Sequence, residues 1–132
     1  MSNRERSVRT EGIILRRRDF GESDRILVVF TKKLGRISGI AKGARKPSSK
    51  ISGHLELFSR ASFLVSRGRN LQLITQAETL QSYDHLREDL SGIGLGSYVV
   101  ELVDAVTTEG GSNVKLYELL AARTVFPARG DP

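Results

Sequence analysis

No cysteine and no tryptophan occur in these 132 residues, and proline appears only three times. Without cysteine, disulfides and thiolate metal sites are both excluded. The two histidines, His54 and His85, belong to no metal-ligand spacing. Aromatic residues make up 6% of the chain, so a site built on stacked rings has few platforms. No apolar run approaches the ~20 residues of a membrane-spanning helix. The longest is Ile26-Leu27-Val28-Val29-Phe30. The first residues, Met-Ser-Asn-Arg-Glu-Arg, are charged and lack the apolar stretch of a secretion signal. The expectation is a cytoplasmic protein with no membrane partner.

What is present is positive charge, unevenly placed. The net of +6 combines two unlike halves. Residues 1–70 carry 17 Lys and Arg against 6 Asp and Glu, a net of +11. Residues 71–132 carry 4 against 9, a net of −5. One basic run is usually a solvated surface. A whole half at this charge points to a polyanionic partner for that half.

Hydrophobic period also divides the chain. Gly12 to Arg18, Asp24 to Thr31 and Gly35 to Gly43 read as strands, the second of them apolar on both faces. Leu55 to Ser66 and Arg69 to Thr79 follow, joined by the turn-rich Ser66-Arg67-Gly68-Arg69-Asn70. Five short strands with glycines at the bends suit a small barrel such as the oligonucleotide-binding (OB) fold. Beyond them, Leu95, Val99, Leu102, Val103 and Val106 form the stripe of an amphipathic helix. A short helix near Asp84 to Leu90 is expected before it. Another follows from about Asn113, an N-cap residue type, to Ala122. The predicted architecture is mostly β, then α. An OB-fold domain occupies residues 1–80, and a partial helical domain with a loose C-terminal tail occupies 81–132.

The densest cations surround the third strand and its loop. Lys32, Lys33, Arg36, Lys42, Arg45, Lys46 and Lys50 are suited to neutralising phosphates, helped by serines and free backbone N–H groups. Arg16-Arg17-Arg18 is a second cluster, of which only part can lie on one face of a strand. Arg67 and Arg69 flank a hairpin tip. Phe30, Phe58 and Phe63 sit in apolar strands and read as core, whereas Phe20 lies among polar residues and is available for a base.

Catalysis has little support. His54 is expected to open a strand in a hydrogen-bonded structural role. Asp19, Glu22 and Asp24 read as turn residues that bond locally or pair with Arg25. Gly92-Ile-Gly-Leu-Gly follows no strand, so it is no dinucleotide fingerprint, and no phosphate-loop Gly-Lys-Ser/Thr occurs. No enzyme activity, metal or other cofactor is expected.

Ordered segments then carry a resemblance. Glu11-Gly12-Ile13-Ile14-Leu15, Phe20-Gly21-Glu22-Ser23-Asp24-Arg25-Ile26-Leu27 and Phe30-Thr31-Lys32-Lys33-Leu34-Gly35 are similar to the N-terminal part of the bacterial recombination mediator family RecO. Ala41-Lys42-Gly43-Ala44-Arg45-Lys46 and Leu55-Glu56-Leu57-Phe58 continue it. Tyr98 through Glu109 and Leu116 to Leu120 resemble the start of that family's helical region. The resemblance implies a barrel that binds single- and double-stranded DNA and anneals complementary strands. With RecR, it implies help for RecA in replacing single-stranded-DNA-binding protein during homologous recombination. On this analogy Arg17, Arg36, Lys42, Arg45 and Lys46 contact the backbone, within the wider set that adds Lys32, Lys33 and Lys50. The pattern stops near Leu120, so the chain reads as a truncated member, lacking the further helices and zinc module common in the family. The family's helical region also receives the acidic tail of single-stranded-DNA-binding protein, and this chain holds only part of that region.

Two other readings fit the charge. One is an RNA-binding barrel of the translation machinery, the other an adaptor that docks acidic proteins. Paired DNA and RNA titrations separate the first, and the salt slope of binding helps with the second.

Overall fold

The computed structural model describes residues 7–68, 71–82, 98, 100–105, 107 and 113–121. Five strands run in order: β1 (Val8–Phe20), β2 (Asp24–Thr31), β3 (Gly35–Ala41), β4 (Ser59–Ser66) and β5 (Gln72–Ser82). They close into a barrel with the order β1-β2-β3-β5-β4, the five-stranded barrel expected from the sequence. The reading of β2 agrees at both ends. β1 begins earlier than expected and β3 stops at Ala41. β4 starts at Ser59 rather than Leu55, because Ser52–His54 forms a 3-10 turn. His54 therefore precedes the strand. Its Nδ1 accepts the backbone N–H of Thr79 at 2.9 Å, which ties the turn to β5.

Two apolar layers explain the strand composition. Inside the barrel lie Ile14, Leu27, Val29, Ile37, Phe63, Val65 and Ile74. Outside, against the helices, lie Ile13, Leu15, Phe30 and Phe58. β2 is apolar on both faces because its alternate residues serve these two layers. The simple alternation of β3 and β4 shows one buried face each.

The barrel closes through a narrow seam. β3 and β5 pair in parallel only at Gly39↔Gln72 and Ile40↔Leu73. A Cβ on Gly39 would stand 2.7 Å from Ile74 Cδ1, so a side chain there would have to displace the buried Ile74 side chain.

Among the described residues, two helices pack outside. The first, α1, is described at positions 98 and 100–105, and the second, α2, is Val114–Ala121. Asn113 caps α2 as expected, its Oδ1 accepting the Leu116 N–H at 3.0 Å. The apolar face of α1 keeps Val103 of the expected stripe and departs from it at Leu102. Val100, Val103 and Thr107 are buried while Leu102 is 41% exposed. Thr107 can be buried because its hydroxyl bonds the Val103 carbonyl at 2.6 Å. Val100, Val103, Tyr117 and Leu120 join Phe30 and Phe58 in the outer layer. Phe58 has a left-handed backbone, φ 60, which costs a bulky residue about 1–3 kcal/mol. Its buried ring and the 2.8 Å bond from its N–H to the Ile14 carbonyl offset that cost. The short helix expected at 84–90, the glycines at 92–96, Leu95, Val99, Val106, Arg69 and the C-terminal tail lie outside the described residues.

Candidate nucleic-acid interface

A bulge decides which arginines share a surface. The register of β1 on β2 shifts between Ile14 and Arg16. Beyond it, Arg16 faces Val28, Arg17 faces Leu27 and Arg18 faces Ile26. Leu27 points into the barrel, so Arg16 and Arg18 belong to the outer pleat and Arg17 to the other. A register without the bulge would exchange them. Arg17 reaches the Leu55 carbonyl at 3.3 Å and Glu56 at 3.6 Å.

The outer pleat forms a continuous row. Arg18 faces Ile26, Ile26 faces Ile40, and Ile40 faces Leu73. The three apolar members are half-buried. Two shallow hollows adjoin the row. One of about 190 Å³ is lined by Arg16, Arg17, Arg18, Ile26 and Val28. The other, about 230 Å³, is lined by Ile40, Lys42, Ile51, Leu73, Ile74 and Thr75. At the end of the row, Phe20 is 46% exposed and the Arg18 guanidinium lies 5.7 Å from its ring centre. The ring is held ready by a cation–π contact.

The loop after β3 is fastened to this end. Arg45 donates from Nη2 to the Gly21 carbonyl at 2.6 Å and from Nε to the Asp24 carbonyl at 3.1 Å. Its N–H bonds the Ser23 carbonyl at 2.9 Å. Asp24 Oδ1 accepts the Gly43 N–H at 2.7 Å. Gly43 holds φ +69, and a Cβ on it would touch the Lys46 stem at 3.6 Å. Asp19 pairs with Arg25 and Arg45, each at 3.6 Å. The acidic turn is thus the locally bonded structure expected from the sequence. Among the described residues, no three His, Cys, Asp or Glu side chains could hold a metal ion.

The eight cations singled out from sequence fall into separate groups. Lys42, Lys46 and Lys50 are exposed and have no side-chain bond among the described residues. Lys42 lines the hollow beside Ile40 and Leu73, and Lys46 lies in the loop that Arg45 ties to the Phe20–Asp24 turn. Lys32 and Lys33 sit at the opposite end of β3, about 20 Å away for a strand of this length. Lys32 is 4.0 Å from Glu118. Arg45 is committed to the turn. Arg36 donates to Asp104 at 2.9 Å and to the Thr107 carbonyl at 3.3 Å, both in the helical part. The structure adds Arg16 and Arg18. Their signal in the sequence was the arginine run, and the bulge that aims them was invisible there.

Asp104 accepts from Arg16 as well, at 2.5 Å. The Arg16 hydrogen bond holds its carboxyl below the ordinary 3.8, assisted by the charges of both arginines and opposed by partial burial.

Residues 1–83 match the family described as "Recombination protein O N terminal". The chain belongs to the RecO family. Curated relatives named "DNA repair protein RecO" are 42% identical in Alkaliphilus metalliredigens, over 86% of this chain and 46% of that protein. In Pelotomaculum thermopropionicum the identity is 42% over 93% of this chain and 48% of the relative. In a Roseiflexus species it is 43%, over 89% and 41%. The chain thus spans about half the length of these RecO relatives. Among the described residues, no helix is long and apolar enough to cross a membrane.

Proposed function

We propose that this RecO chain is a non-enzymatic DNA-binding module of repair by homologous recombination. The carrying observation is the outer row from the exposed Phe20 and Arg18 across Ile26 and Ile40 to Leu73, with Lys42 lining the hollow beside Ile40 and Lys46 further along the same loop. The half-buried Ile26, Ile40 and Leu73 offer unpaired bases an apolar floor. The arginine and lysines offer phosphates their counter-charges. One exposed ring and a hydrocarbon floor carry no hydrogen-bond code, so binding tolerates many sequences. Double-stranded DNA is held by the same cations through its phosphates. Strand annealing, and RecA loading with RecR against single-stranded-DNA-binding protein, are the processes this module serves. Its site of action is the cytoplasmic nucleoid.

The test is an anisotropy titration with a single-stranded oligonucleotide across a salt series. Log K should fall with log salt by about 0.7 for each phosphate neutralised. Alanine at Lys42 and Lys46 together should weaken binding and flatten the slope. Unchanged affinity and slope would remove this surface from the contact. A strong preference for RNA of the same sequence would favour a translation-machinery barrel instead.

A further inference from the structure

The basic surface does not end at Arg18. Arg16 lies two residues away on the same pleat, about 6.6 Å along the strand, and its side chain is 49% exposed. Arg36 lies on the same outer side of the sheet, facing Phe30. These two guanidinium groups converge on one carboxylate, Asp104 of α1, at 2.5 and 2.9 Å. A carboxylate and a phosphate present arginine with the same pair of acceptor oxygens. We infer that the Arg16–Arg36 fork is a phosphate site of the strand-binding surface, filled in this structure by the Asp104 carboxylate.

Three observations support exchange between the two anions. Both Asp104 and Arg16 retain access to solvent, and an ion pair so exposed is weak enough to be displaced. An open cleft of about 300 Å³ runs beside Arg16, between Leu15 and Phe58 of the barrel side and Val100 and Glu101 of α1. The cleft gives a strand room to approach Arg16 along this edge of the helix. Finally, the latch joins the two oppositely charged halves of the chain, so a polyanion competes directly with the acidic half for the basic one. α1 then limits how long a tract of DNA the barrel holds, and DNA loosens α1.

This inference rests on the DNA reading of the barrel, and the experiment separates the two. Wild type, Asp104→Asn, Asp104→Glu and Arg16→Gln/Asp104→Asn are titrated with single-stranded DNA, beside Lys42→Ala/Lys46→Ala. Asp104→Asn should tighten binding on the order of three- to tenfold at low salt and steepen the salt slope by about 0.7 for each arginine released. Asp104→Glu should behave as wild type, and adding Arg16→Gln should remove part of the gain. Equal or weaker binding by Asp104→Asn, with the Lys42/Lys46 variant still impaired, overturns the latch and leaves the DNA surface standing. Absence of DNA binding by every protein overturns both. Hydrogen exchange on the wild-type chain gives a readout that needs no variant. Residues 100–105 should lose protection when DNA is added, and unchanged or increased protection overturns the proposal.

Discussion

Phe30 of β2 and Tyr117 of α2 meet edge to face, with ring centres 5.9 Å apart and planes at 67°. Both rings are buried, and they join the barrel to the helical part in one apolar layer. The Tyr117 hydroxyl reaches Glu11 at 3.3 Å. Phe30→Ala should lower stability by about 3–5 kcal/mol, the usual cost of deleting a buried ring. Tyr117→Phe keeps the ring and should cost about 1 kcal/mol or less. Urea denaturation followed by circular dichroism measures both. Similar small losses for the two would mean that the helices do not pack on the barrel in solution.

Asp104 predicts a pH dependence. Its native carboxyl is held below the ordinary value by Arg16 and Arg36, so its contribution to folding is complete above the unfolded value of about 3.9. It fades as pH falls through the lowered native value. Asp104→Asn should therefore cost about 1 kcal/mol at pH 7, as expected of a partly exposed pair. The gap from wild type should narrow steadily below about pH 4. Denaturation midpoints at pH 7, 5, 4 and 3 would show it, and a gap independent of pH would contradict it.

Gly39 marks the seam between β3 and β5. Gly39→Val would drive a branched side chain into Ile74, whose Cδ1 and Cγ1 lie 2.7 and 2.9 Å from the would-be Cβ. The expected loss is about 1–3 kcal/mol from overpacking. Pairing Gly39→Val with Ile74→Ala should recover part of it if this contact is the cause. A double variant worse than the sum of the singles would place the strain elsewhere.

Phe20 is exposed at the end of the basic row and braced by Arg18. Phe20→Ala should weaken single-stranded DNA by about 1–3 kcal/mol, the value of one stacked base. It should leave the salt slope unchanged, since no charge is removed. Arg18→Gln should lower the slope as well. A Phe20→Ala variant that binds single strands like wild type would deny the ring a base.

Arg45 separates holding a loop from holding DNA. Its guanidinium already serves the Phe20–Asp24 turn. Arg45→Lys keeps the charge but cannot reproduce several directional bonds from one planar group. Arg45→Lys should therefore weaken DNA binding almost as much as Arg45→Ala, with more rapid proteolysis of the 43–50 loop. Full rescue by lysine would show that only its charge matters.

The sequence by itself determined the family, the five strands and the charged surface in outline. These are local properties: alternation along β3 and β4, turn residues between strands, and a cationic first half all survive without knowing which strand lies beside which. Even the cap at Asn113 needed only its neighbours. Tertiary structure decided which cations are available. Arg36 is claimed by Asp104, 68 residues away, and Arg45 by a turn more than 20 residues earlier. The bulge after Ile14 is set by pairing with β2, and one residue of slip chooses Arg16 and Arg18 over Arg17 for the outer row. The face of α1 was decided the same way, since Val100 and Val103 meet Phe30's layer while Leu102 does not. Side-chain availability depends on register and on partners distant in the chain, and neither leaves a periodic mark in the sequence.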